Sequence, residues 1–201
     1  MDEPRRFGKF TVVSPIAATA HSRVWEATDP GGNRVAVKKL RTHRLEAQPY
    51  RRFRDEVAFH TSGPHPGVLP LLDAHVPATP SGEDPAWLAM PIAETVRIAL
   101  GTSPSLDEVV DALRVYAATL ARLAEAGVHH RDLKPDNLFH REGDWVVGDF
   151  GLVTWPGKQA LTEPGQRLGP AHFVAPEMVE HPARADPGPA DCGRWPRSCG
   201  C

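Results

Sequence analysis

The chain has 201 residues, 41% of them hydrophobic and 24% charged, enough to bury the core of one large domain or two small lobes, which excludes a disordered tail. Its net charge of -2 leaves no electrostatic footprint for nucleic acid or an anionic membrane surface. The opening Met1-Asp2-Glu3-Pro4-Arg5-Arg6 has no apolar run behind it, and no stretch approaches the roughly 18 apolar residues of a membrane span, so a cytoplasmic protein is expected.

Residues 1–9 read as a terminal tail. Phe10 to Ile16, Arg23 to Thr28 and Val35 to Lys38 read as three strands, the last entered through the turn residues Asp29-Pro30-Gly31-Gly32-Asn33. Leu45 to Thr61 has helical character, with Phe53, Val57 and, less regularly, Phe59 on its apolar side. Val68 to Leu72 and Ala86 to Met90 read as further strands on either side of a polar loop, His75 to Pro85. Ser105-Leu106-Asp107-Glu108 fits a capping box, and the apolar positions Val109, Leu113, Tyr116, Leu120 and Leu123 recur at helical spacing up to Gly127. All three cysteines, Cys192, Cys199 and Cys201, fall near the C-terminus without a histidine or second pair at zinc spacing.

The most specific stretch is His130-Arg131-Asp132-Leu133-Lys134-Pro135-Asp136-Asn137, with Asp149-Phe150-Gly151 following. It supplies what phosphoryl transfer needs: a carboxylate to accept a hydroxyl proton, a lysine for phosphate charge, and an amide and a second carboxylate for Mg²⁺. This block resembles the catalytic loop of the protein kinases, specifically the Hanks-type Ser/Thr kinases, and the likeness runs from about Phe10 to Asp191. The fold implied is α+β and bilobal, an antiparallel N-lobe sheet with helix C over about 10–93 and a mainly helical C-lobe over 94–191 that is incomplete after Ala175-Pro176-Glu177. The activity implied is transfer of the γ-phosphate of ATP to Ser/Thr hydroxyls of a protein substrate, with Mg²⁺ as cofactor.

The same resemblance assigns roles by position. Asp132 would accept the substrate proton, Lys134 would neutralise the phosphoryl group, and Asn137 and Asp149 would hold Mg²⁺ through oxygen. Lys38, in Val-Ala-Val-Lys, would hold the α- and β-phosphates, although taken alone it reads as a solvated strand-end lysine. Glu56, in Phe-Arg-Asp-Glu-Val ahead of His65-Pro66-Gly67-Val68-Leu69, stands where the family carries its helix C glutamate and is the partner the resemblance implies, while Asp55 would point about 100° away around the helix. Val24, Ala36 and Phe139 would enclose adenine, with Met90 as gatekeeper and the carbonyl of Pro91 and the N–H of Ala93 as hinge contacts. Arg131 would face a phosphorylated activation segment, for which Thr154 and Thr162 are the candidate hydroxyls. Lys39 reads as a surface charge, and His60 as a tolerated, partly buried histidine rather than a pH switch.

Three departures weigh against an ordinary enzyme. Ala17, Thr19 and Ser22 stand where the family's loop over the triphosphate carries glycines, which predicts a looser or slower lid. Pro170 replaces a threonine that in the family contacts the catalytic aspartate and lysine. After Asp191 the family continues Asp-Val-Trp-x-Leu, whereas this chain reads Cys192-Gly193-Arg194-Trp195. Restoring a single lost base in one coding solution recovers Asp-Val-Trp-Ala-Leu, so residues 192–201 are expected to be an out-of-frame tail on a truncated domain with impaired activity. A non-catalytic nucleotide-binding or scaffold module of the same fold, and a small-molecule phosphotransferase, are the alternative readings.

Overall fold

The computed structural model describes residues 6–41 and 48–156, which fall into two compact units, one carrying the sequence up to His65 and again Leu69–Ala93, the other Pro66–Val68 and the sequence from Glu94 onward. The Ala175-Pro176-Glu177 segment, Pro170, Thr162 and the cysteine-bearing tail lie outside the described residues.

The first unit is a six-stranded antiparallel sheet with one helix. Its strands are β1 (Arg6–Phe7), β2 (Phe10–Ala18), β3 (Ser22–Thr28), β4 (Arg34–Leu40), β5 (Asp73–His75) and β6 (Trp87–Pro91), in the spatial order β1-β2-β3-β4-β6-β5. Alternation along the strands sorts side chains by face. Trp25, Val35, Val37 and Ala89 join Phe7, Phe10, Ala27 and Trp87 in one buried cluster. Their neighbours Val24, Ala36, Lys38 and Met90 occupy the other face, because directly opposed residues of an antiparallel pair share a face and Val24 opposes Lys38 while Ala36 opposes Met90. The β3–β4 turn is held by Asp29, whose Oδ1 accepts from the N–H groups of Gly31 and Asn33 at 2.8 Å each, with Gly32 at φ +83°. Helix α1 (Gln48–Thr61) buries Tyr50, Phe53, Glu56 and Phe59.

Two expectations are corrected here. Arg6 and Phe7 are not tail: they pair with Thr11 and Phe10, and Phe7 enters the core. The strand expected at Val68 to Leu72 is displaced to Asp73–His75, leaving Leu72 with a single backbone bond to Ala89. Its apolar pair Val68 and Leu69 is buried, but Pro70 has no N–H to give a ladder.

The second unit contains α2 (Val96–Leu100), α3 (Leu106–Glu125), a single 3₁₀ turn at Pro135–Asn137, and a small antiparallel sheet of β7 (Glu94–Thr95), β8 (Leu138–Arg141) and β9 (Asp144–Val147). A mainly helical unit was expected, and the sheet is additional. The capping box forms as read: Ser105 Oγ accepts from Glu108 N at 3.2 Å, and Glu108 Oε2 accepts from Ser105 N at 2.8 Å. Gly127, at φ +72°, ends the helix. The buried stripe is Ala112, Tyr116, Thr119 and Leu123, which leaves Leu113 36% exposed where the spacing had counted it as inward. Gly67 lies against α3 so closely that an added Cβ would sit 2.2 Å from Thr119 Oγ1.

Candidate active site

On the first unit, β4 and α1 bring together a cation and a carboxylate. Lys38 Nζ lies 3.0 Å from Glu56 Oε2 and 3.2 Å from Oε1, so one ammonium serves both carboxylate oxygens. Glu56 is buried on α1, and Lys38 retains partial exposure on the sheet face that also carries Val24, Ala36 and Met90. Met90 and Pro91 are buried at the end of β6, and Ala93 follows two residues beyond. One turn past Glu56, His60 is pushed down to about 4 by burial, with His65 and Lys38 adding repulsion, so its ring is neutral at physiological pH. Lys39 is not a freely solvated charge: it is half-buried, and burial together with nearby Arg23 lowers its pKa.

On the second unit, the loop after α3 is fixed by backbone bonds at each end. His129 and Thr154 exchange both backbone hydrogen bonds at 2.9 Å, and Gly148 N donates to Asn137 O at 2.9 Å. His130 is fully buried against Phe150, with ring centroids 4.6 Å apart. Its Nδ1 accepts from Asp132 N at 3.1 Å, which leaves Nε2 to carry the proton and donate to Gly148 O at 2.9 Å. A neutral histidine thus ties the residue ahead of Asp149 to the loop bearing Asp132. Arg131 and Asp149 both adopt left-handed backbone, at φ +64° and +59°, a conformation costly outside glycine and concentrated at functional turns.

Three predicted site residues meet within that loop. Lys134 Nζ donates to Asp132 Oδ2 at 2.8 Å, and Asn137 Nδ2 donates to Asp132 O at 2.7 Å and to Oδ2 at 3.2 Å. Both neighbours therefore act on the same carboxylate oxygen of Asp132, Oδ2. Pro135 starts the 3₁₀ turn that swings buried Asn137 back toward Asp132. With its nitrogen turned to Asp132, Asn137 presents Oδ1 as an oxygen donor, and the Gly148–Asn137 bond sets Asp149 one residue further on. An amide oxygen and a carboxylate suit a hard divalent cation that completes its shell with water and phosphate oxygens.

Phe139, one of the three residues expected to enclose adenine, lies on β8 and pairs with Thr95 on β7 and Val146 on β9. Sequence reasoning missed what anchors it: Tyr116 on α3 donates its hydroxyl to Phe139 O at 3.0 Å and meets Trp145 edge-on. Burial pushes the Tyr116 hydroxyl far above its ordinary range, so it stays a donor. A tyrosine among aliphatic inward positions was the available signal. Thr154, one of the two candidate phosphosites, has a buried hydroxyl with no hydrogen-bond partner among the described residues, and its backbone is locked to His129.

The loop between β2 and β3 differs from the looser lid expected of a glycine-free turn. Thr19 N donates to Ser22 O at 2.9 Å, and the Thr19 hydroxyl accepts from Ser22 N at 3.0 Å and His21 N at 3.3 Å. None of Ala17, Thr19 and Ser22 has a positive φ. The signal was a hydroxyl residue placed two and three residues before those N–H groups, the spacing of a side-chain-closed turn.

A sheet lysine clamped by a helix carboxylate, and a loop that gathers an aspartate, a lysine and an asparagine ahead of a second aspartate, are the pattern of the protein kinase class. The chain belongs to that family: the model described as "Protein kinase domain" matches residues 10–192. It is 34% identical over 189 residues to the probable serine/threonine-protein kinase pknA2 of Bifidobacterium longum, covering 87% of this chain and 24% of that protein. It is 33% identical over 192 residues to the serine/threonine-protein kinase AfsK of Streptomyces griseus, covering 88% and 22%. Over 181 residues it is 31% identical to the serine/threonine-protein kinase PknA of Mycobacterium tuberculosis, covering 86% of this chain and 42% of that one. The chain thus spans less than half the length of each of these relatives.

Proposed function

We propose that this domain transfers the γ-phosphate of ATP to a serine or threonine hydroxyl of a protein substrate. The observation that carries the reading is the Asp132–Lys134–Asn137 constellation, in which lysine and amide both hold Oδ2 of one carboxylate and so fix its orientation. Asp132 orients the substrate hydroxyl and receives its proton as the oxygen attacks phosphorus. Lys134 offsets charge on the transferring phosphoryl group, and ADP leaves. Lys38, kept in place by Glu56, holds the phosphates of the bound nucleotide. Asn137 and Asp149 would hold Mg²⁺ through oxygen, and the ion would supply neutralisation of phosphate charge. Positioning and electrostatics supply most of the rate in such chemistry.

Val24, Ala36, Met90 and Phe139 supply apolar contacts to adenine in this reading, with the Pro91 carbonyl and the Ala93 N–H as polar ones. Pro91 lacks only an N–H, so its carbonyl can still accept. We place the reaction in the cytoplasm, where ATP is abundant; among the described residues no helix is long and apolar enough to cross a membrane. The self-closed hairpin favours a second reading, a nucleotide-binding or scaffold module of the same fold with weak or absent turnover. Incubating the protein with labelled ATP and Mg²⁺ tests the choice. Label on the protein or an added protein substrate, absent in Asp132→Asn, supports catalysis; nucleotide binding without any transfer supports the module.

A further inference from the structure

The β2–β3 hairpin engages the N–H groups of Thr19, His21 and Ser22 with acceptors of its own. Thr19 Oγ1 accepts from the N–H groups of Ser22 and His21 and lies 3.0 Å from Ser22 Oγ. A hydroxyl oxygen has two acceptor positions, and both are taken by backbone N–H. The turn is braced from the residue that follows β4: Arg41 Nη1 donates to Thr19 O at 3.1 Å, and Arg41 N donates to His21 O at 2.8 Å. Residues Ala17 to His21 are nonetheless exposed, so a ligand can approach the turn from that side, while Ser22 is buried behind it.

Successive N–H groups at a tight turn form an anion-binding concavity, and phosphate oxygens are their natural acceptors. Here that concavity already holds an acceptor belonging to the chain. We propose that Thr19 sets nucleotide affinity by competition: its hydroxyl occupies the His21 and Ser22 N–H groups that nucleotide phosphates would otherwise take. This rests on the nucleotide-binding reading above and adds to it a residue that works against binding. A phosphate entering the hairpin must first displace the hydroxyl, so it gains only the difference between two acceptors. The adenosine portion touches none of these groups and is indifferent to them.

The test is equilibrium binding of Mg²⁺–ATP and of adenosine, in parallel, to the full chain and to Thr19→Val, Thr19→Ala and Thr19→Ser. Valine keeps the branched shape and removes the acceptor, alanine removes both, and serine keeps the acceptor. The expected result is ATP binding about 3- to 10-fold tighter in the valine and alanine variants, the worth of one or two recovered hydrogen bonds, with adenosine unchanged. Serine should match the parent. ATP binding that is unchanged or weaker in both hydroxyl-free variants overturns the competition while leaving the nucleotide site intact. Absence of ATP and adenosine binding in every variant, the parent included, overturns the nucleotide-binding reading with it.

Discussion

Lys38 Nζ stands 3.0 Å from Glu56 Oε2, and the two ends of the pair are unequally buried: the glutamate side chain is 2% exposed and the lysine 25%. The asymmetry decides what each deletion does. Removing the lysine leaves a carboxylate inside the protein, whereas removing the glutamate leaves an ammonium that can still reach water. Lys38→Met should therefore lower unfolding stability by about 3 kcal/mol, and Lys38→Met with Glu56→Leu should recover most of that loss. Urea titration measures both. Neither variant should transfer phosphate, which separates the structural worth of the pair from its proposed catalytic one.

His60 predicts the pH response of the first unit. Its folded-state pKa of about 4 lies below the ordinary 6.5, so between those values the unfolded chain binds a proton that the folded chain refuses. Stability from this group is full above about pH 6.5 and falls as pH drops toward 4, by up to about 3 kcal/mol. His60→Leu should flatten that slope in melting curves taken from pH 7 to 4.5. An unchanged slope would remove His60 as its source.

Tyr116→Phe tests the support beneath Phe139. The substitution keeps the ring against Trp145 and deletes the hydroxyl donor to Phe139 O. The expected cost is about 1 to 2 kcal/mol of stability, with the KM for ATP raised several-fold and kcat little changed. A fall in kcat at constant KM would place the role of Tyr116 elsewhere.

How far the sequence could be read follows from the range of the forces involved. Glu56 rather than Asp55 as partner to Lys38 was legible from its Phe-Arg-Asp-Glu-Val setting, with helix geometry turning the adjacent Asp55 about 100° away. The capping box at Ser105 and the glycine stop at Gly127 were legible for the same local reason. What escaped depends on contacts distant in sequence or on one missing donor. Pro70 moved a strand along by several residues, Phe7 was drawn into the sheet by the core of Phe10, Trp25 and Trp87, and Tyr116 reached across 23 positions to Phe139. The Thr19 turn escaped for a different reason: its glycine-free sequence suggested looseness, while its hydroxyl supplied closure.

The most direct test of the account is transfer of labelled γ-phosphate from ATP to protein, measured alongside nucleotide affinity, for the parent chain and Asp132→Asn. The amide keeps the shape of the side chain and its contact with Lys134 while abolishing its capacity to take a proton. The account predicts turnover reduced by about 10² to 10⁴ with ATP affinity within about twofold of the parent. Equal transfer by both proteins, or label that never reaches protein from the parent chain, would contradict it.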